Sequence, residues 1–221
     1  MSRAPLKIAV LISGHGSNMA AIARECREGR LNARIGIVLS DRPGVAGLDT
    51  ARAMGIEARA IPWQGAAQRG VFERSLEAAL AEVKPDLIVL AGFMRILSPQ
   101  FVASHAGRIL NIHPSLLPKY TGLHTHRRAL EAGEREHGAS VHFVTAELDG
   151  GPLVLQSRVP VRSEDTEQSL SARVQKTEHI IYPRVIGWLA EGRLTWRQDR
   201  PWLDGHPLLD PVVEDFSADR N

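Results

Sequence analysis

Asn111 and His113 stand at the carboxyl end of one apolar run, Ile109 to Ile112. Side chains alternate faces along a strand, so residues two apart project together. Pro114 stops the run at once by fixing φ and removing a donor. Ser115 to Pro118 then reads as a proline-bounded loop. A carboxamide beside an imidazole, where a strand spills into a loop, is the geometry of an active site. Taken alone, an Asn-x-His more often satisfies loop backbone and caps a turn.

Two further stretches carry chemistry of a matching kind. Ser13-Gly-His-Gly-Ser-Asn18 follows an apolar strand and opens a helix. The backbone N–H groups of such a turn, with the helix dipole behind them, form an anion site. Gly14 and Gly16 let a phosphate approach closely, and Ser17 and Asn18 can donate to it or simply cap the helix. Met19 stands where a dinucleotide fingerprint needs a third small residue, so a monophosphate fits better than a pyrophosphate. Asp41, after the second strand, leaves a ribose contact open as a lesser alternative. Asp149 lies between Leu148 and Gly150-Gly151, with backbone freedom to be aimed. Near His113 it would favour the cationic imidazole; by itself it is an ordinary turn residue.

The remaining candidates are weaker. His124-x-His126 is the only close histidine pair and lacks a cysteine or carboxylate at ligand spacing, so no metal site is expected. His137 and His142 flank a strand and read as structural. The single cysteine, Cys26, reads as a packed thiol in a helix. Arg69 starts a helix off its apolar face and reads as a solvated residue.

Positioning these groups requires a sheet. Leu6–Ile12, Ala33–Leu39, Ile56–Ile61, Pro85–Ala91 and Ile109–Ile112 read as strands. Between them lie helical stretches at 19–27, 48–54, 68–83 and 101–106. This βα alternation predicts an α/β, Rossmann-like, mostly parallel twisted sheet with helices on both faces. Ligands of such sheets sit beyond the carboxyl ends of the strands. The glycine turn, the Met94–Leu97 loop and the Asn111/His113 pair all fall on that edge. Phe93, Met94, Ile96 and Leu97 either cover the core or line an apolar pocket there. Beyond Leu123 the spacing predicts a helix at 125–131, an antiparallel strand pair within 139–161, and a long helix from Thr166 to Ala190. Leu194–Trp196 reads as a last edge strand, and the proline-broken residues after Pro201 are expected to wrap the surface or fray.

Composition sets limits. The 221 residues, 43% hydrophobic and 24% charged with a net charge of only +2, describe an ordinary globular chain. Scattered basic residues argue against nucleic acid and membrane partners. No apolar run approaches bilayer length or a signal peptide, which points to the cytoplasm.

Four motifs together carry a resemblance: Gly14-His-Gly-Ser-Asn18, Ala91-Gly-Phe-Met-Arg-Ile-Leu-Ser-Pro99, Asn111-Ile-His-Pro-Ser-Leu-Leu-Pro118 and Leu148-Asp-Gly-Gly151. In these the chain, from about Lys7 to Leu194, resembles the folate-dependent phosphoribosylglycinamide formyltransferases, most closely their single-domain bacterial type. The resemblance implies formyl transfer from 10-formyltetrahydrofolate, as co-substrate and without a metal, to the amine of glycinamide ribonucleotide in purine synthesis. It matches Asn111, His113 and Asp149 to the catalytic trio. Gly16, Ser17, Asn18 and Glu178 match the ribonucleotide site. Arg69, Met94, Arg95, Ile96, Leu97 and Asn111 match the folate site. It implies a formyltransferase domain over 1–200, with a phosphate-binding half at 6–113 and a folate and catalytic half at 114–200. Residues 201–221 would form a tail, and the state a monomer or homodimer. Three positions depart from the pattern: His15 for asparagine, Thr121 for proline, and Ala146 where an acidic residue is common. Rival readings are another 10-formyltetrahydrofolate enzyme or a non-catalytic nucleotide-binding module. The tRNA-acting formyltransferases carry an extra C-terminal domain and the hydrolases an N-terminal one, neither of which is expected here.

Overall fold

The computed structural model describes residues 3–217. Strand β1 (Leu6–Ile12) leads to α1 (Ser17–Arg27), β2 (Ala33–Ser40), α2 (Ala46–Ala53) and β3 (Ala58–Ala60). The chain continues through α3 (Arg69–Val83), β4 (Leu87–Leu90), α4 (Pro99–Ser104) and β5 (Ile109–His113). After α5 (Thr125–Glu131) come β6 (Glu136–Phe143), β7 (Leu153–Pro160) and the long α6 (Glu167–Glu191). The last elements are β8 (Leu194–Arg197), β9 (Arg200–Leu203), β10 (His206–Pro207) and β11 (Val212–Asp215).

Eight strands form one sheet in the order β11-β7-β6-β5-β4-β1-β2-β3. The five strands from β3 to β5 are parallel. Strands β6 and β7 are antiparallel additions, as expected. The chain winds outward from β1 to β3, then returns to lay β4 on the other side of β1. That reversal leaves a crevice beyond the carboxyl ends of β1 and β4, where ligands of doubly wound sheets bind.

Burial on both faces explains why β1 is a continuous apolar run. Ile8, Val10 and Ile12 pack on one face with Met19 and Ile22 of α1, Leu48 of α2, and Val174, Ile181 and Val185 of α6. Ala9 and Leu11 pack on the other with Phe72, Leu76 and Leu80 of α3 and Phe101 of α4. Thr166 caps α6 in a reciprocal exchange with Ser169. The buried Tyr182 of α6 points its hydroxyl at the carbonyls of Leu90 and Leu110, 2.9 and 3.0 Å away. It thereby clamps β4 to β5 near the ends that carry the candidate chemistry.

Two expectations change. Leu194–Trp196 does not edge the main sheet; β8 opens a separate three-stranded antiparallel sheet with β9 and β10. Nor do the residues after Pro201 fray, as far as they lie within the described chain. Pro207 sits on β10, an edge strand of that small sheet, which tolerates a missing donor. Val212–Asp215 then adds a parallel strand beside β7. Positions 218–221 of the expected tail lie outside the described residues.

Candidate active site

Strand β5 presents Asn111 opposite His142 and His113 opposite Ser140 in the antiparallel pair with β6. Asp149, far along the chain in the β6–β7 loop, folds back to them. Its Oδ2 lies 3.5 Å from His113 Nδ1, and both side chains are only 8% exposed. The same oxygen accepts from the Gly122 N–H at 2.8 Å. His113 Nε2–H donates to the Tyr120 carbonyl at 2.8 Å. That bond fixes the proton on Nε2 and leaves Nδ1 as the edge facing Asp149. At 3.5 Å the Nδ1–carboxylate gap is longer than a strong charge-assisted hydrogen bond, so a reacting group has room to share it. Tyr120, His124 and Asp149 all adopt left-handed backbone, at φ 58, 58 and 52°.

The glycine turn joins β1 to α1. Gly16 takes φ 72° at the cap of α1, a conformation that costs glycine nothing. Gly47, at the start of α2, packs directly on it, its N–H donating to the Gly14 carbonyl at 3.1 Å. Ala20 is the first N–H of α1 to bond back, to Gly16. The N–H groups before it lack helical acceptors and point into the turn. Asn18 Nδ2–H donates to Glu178 Oε2 at 2.8 Å across 160 residues. Asn18 Oδ1 is buried without a hydrogen-bond partner among the described residues. Gln175 Nε2–H reaches Ser17 Oγ at 3.1 Å. Burial pushes the Glu178 carboxyl up, against the Asn18 bond.

The loop after β4 divides its apolar residues. Leu97 is buried with Phe101, and Phe93 packs on the same core, 6.4 Å from Phe72 ring to ring. Met94 and Ile96 stay more than half exposed, as do Leu123 and Leu148 of the two site loops. Ser13 Oγ accepts from the Met94 N–H at 2.8 Å and so ties this loop to the glycine turn. Arg95 does not point free: its Nε–H donates to Asp41 Oδ2 at 2.5 Å and its guanidinium lies 5.3 Å over Trp63. This pairing takes up Oδ2 of Asp41, whose side chain is fully buried. Arg69 is half-buried in the first turn of α3, and its Nε has no hydrogen-bond partner among the described residues.

The histidines sort differently from the sequence reading. His137 does pack, its Nε2 3.1 Å from His126 Nδ1, and burial pushes it down to about 4. His142 lies against the candidate trio. Its Nε2 lies 3.1 Å from Asn111 Nδ2 and 4.0 Å from Asp149 Oδ1. Only strand register puts it there, and nothing in its local sequence announced the contact. Gly47 and the Tyr120 carbonyl were missed because they act through backbone atoms, which the local sequence does not mark. Among the described residues, no three His, Cys, Asp or Glu side chains are grouped to hold a metal. No helix among them is long and apolar enough to cross a membrane.

Residues 6–186 match the formyl transferase family model. The chain belongs to that family. It is 52% identical to the phosphoribosylglycinamide formyltransferase of Escherichia coli over 92% of this chain and 96% of that protein. It is 45% identical to the Haemophilus influenzae enzyme of the same name, over 91% and 95%. Among solved structures, the Coxiella burnetii phosphoribosylglycinamide formyltransferase superposes with a TM-score of 0.89 at 47% identity, covering 95% of this chain and 99% of that one. The doubly wound sheet with its antiparallel extension is thus the family's fold, as the sequence predicted.

Proposed function

We propose that this protein transfers the formyl group of 10-formyltetrahydrofolate to the amine of glycinamide ribonucleotide, and that Asn111, His113 and Asp149 carry the transfer. The products are formylglycinamide ribonucleotide and tetrahydrofolate. The observation that carries this reading is Asp149 reaching His113 Nδ1 beside the Asn111 carboxamide, at the crevice edge of the sheet.

The surroundings fit both substrates. The free N–H groups of the glycine turn suit the phosphate of the ribonucleotide, and Asn18 Oδ1 with Glu178 offers acceptors for its hydroxyl or amide donors. The exposed apolar rim of Met94, Ile96, Leu123 and Leu148 suits an aromatic folate, and Arg69 suits its carboxylate tail. The folate supplies the one-carbon unit at the formate oxidation level, so the transfer is redox-neutral. This chain's residues do the rest. As the amine nitrogen bonds to the formyl carbon, charge builds on the formyl oxygen, and Asn111 N–H and His113 Nδ1–H meet it. Asp149 balances the imidazolium and takes up the proton that the amine sheds. That proton leaves on the departing folate nitrogen as its bond to carbon breaks.

Mixing the protein with both substrates and following tetrahydrofolate release tests the reading. Release that requires the ribonucleotide supports it. Release without the ribonucleotide would indicate a hydrolase, and binding without turnover a non-catalytic module; either outcome overturns it.

A further inference from the structure

Asn111 can serve an oxyanion only with its NH2 group, and a carboxamide rotated by half a turn would present an acceptor instead. Nothing covalent decides between the two. In the structure the decision falls to His142. It is 2% exposed, on β6 directly opposite Asn111. Its Nδ1 lies 2.9 Å from the Phe143 carbonyl, which can only accept, so Nδ1 carries a proton. In the neutral ring Nε2 is then a bare acceptor, and it faces Asn111 Nδ2 at 3.1 Å. A second feature points the same way. The β6–β7 pairing slips by one residue between Val141 and His142, an irregularity of the kind that re-aims a side chain beside a site.

We propose that His142, held as the neutral Nδ1–H tautomer, is a positioning residue that orients the Asn111 carboxamide so that its second N–H faces the reacting oxygen. The inference rests on the formyl-transfer reading for its consequence but not for its geometry. The groups that bear on His142 are Asp149, with Oδ1 4.0 Å from Nε2, and the nearby His113. Burial and the charge of His113 disfavour an imidazolium at His142, while Asp149 and the Phe143 carbonyl favour one. Burial is the largest of these and pushes the ring down, toward the neutral form that can accept. Were Nε2 protonated, it would confront the Asn111 NH2 donor to donor, and the amide would turn its oxygen toward the forming oxyanion.

Nitrogen-15 NMR of the histidine-labelled wild-type protein at pH 7.5 reads the tautomer directly. A neutral Nδ1–H ring for His142 is expected, and an Nε2–H ring or an imidazolium overturns the proposal. That result stands whether or not formyl transfer is observed, so failure of the functional reading is distinguishable from failure of this one. In the active enzyme, His142→Leu should lower kcat by ~10–100-fold with both KM values within ~3-fold, short of the full loss of an oxyanion donor. His142→Gln, which keeps an acceptor near Nε2, should recover most of that. In an Asn111→Ala background, His142→Leu should cost no more than ~2-fold, because the residue it orients is gone. The full cost persisting in that background, or an unchanged kcat in folded His142→Leu, overturns the proposal.

Discussion

Asp149→Asn isolates the charge of the carboxylate while keeping its shape. An amide oxygen can still accept from the Gly122 N–H that now bonds Oδ2 at 2.8 Å, so the loop keeps its anchor. What disappears is a negative charge 3.5 Å from His113 Nδ1. At that separation two unit charges attract by ~1 kcal/mol at the dielectric of water and ~5 kcal/mol at an effective value of ~20. Both side chains are only 8% exposed, which favours the upper half of that range. An intermediate figure of ~3 kcal/mol corresponds to a kcat lower by ~10²-fold. The assay is steady-state tetrahydrofolate release with both substrates saturating, alongside a thermal melt expected within ~2 °C of the wild type. A well-folded Asp149→Asn protein turning over within ~3-fold of the wild type would refute the role assigned to the charge.

Two further substitutions probe the scaffold. Glu178 has a raised carboxyl pKa, so the folded chain holds its proton more tightly than the unfolded chain. The stability this brings is complete below the ordinary carboxyl value and is lost as pH rises through the folded one, leaving a buried carboxylate that costs stability at pH 8. Glu178→Gln keeps an acceptor for Asn18 and should raise Tm at pH 8 by ~2 °C or more, gain less at pH 4.5, and raise KM for the ribonucleotide ~10-fold. A lower Tm at pH 8 would contradict this sign. At Gly151 an added Cβ would fall 1.9 Å from the Phe143 carbonyl oxygen, fixed backbone that cannot yield. Gly151→Ala should therefore displace the Asp149 loop, lowering Tm by several degrees and kcat at least ~10-fold, a loss of ~1.4 kcal/mol or more in the transition state. Gly150→Ala meets only the movable Glu147 side chain and should do less; equal effects in kinetics and melts would count against the difference.

Much of the molecule was legible because its signals are local. Strand β1 is apolar without alternation since both its faces are covered, and Pro114 ends β5 beside His113. Asn111, His113 and Asp149 could each be singled out by type and setting, although only folding brings Asp149 to Nδ1. The misses share one cause, dependence on register or on backbone atoms. His142 looks like any strand histidine until β6 is set against β5. The Tyr120 contact uses a carbonyl, which every residue has. Strand β11 is four residues long with two prolines shortly before it, so its pairing with β7 outweighs a weak local signal. Arg95, matched to the folate site by resemblance, turns its Nε–H to a buried carboxylate two strands away, a contact its local sequence does not mark.

Backbone strain around the site explains how His113 is aimed before any substrate arrives. Left-handed geometry costs a non-glycine residue roughly 1–2 kcal/mol and persists only where neighbours over-determine it. Elsewhere, Lys84 takes it at the end of α3, and Gln198, Asp199 and Asp204 take it in the turns of the small sheet. Tyr120 and Asp149 take it in the two loops that close on the imidazole. Tyr120 is held from outside: its hydroxyl donates to Glu134 at 2.8 Å, Lys119 bridges to the same carboxylate, and Arg128 lies 5.2 Å over its ring. The reward for that strain is a carbonyl directed at Nε2. Asp149 is held by Gly122 and directed at Nδ1. Each nitrogen of His113 thus faces an oxygen placed by a strained residue, and Asn111 is held on the remaining side by His142. Donors fixed in this way need little reorganisation as charge develops, which is where preorganised electrostatic stabilisation gains its advantage over water.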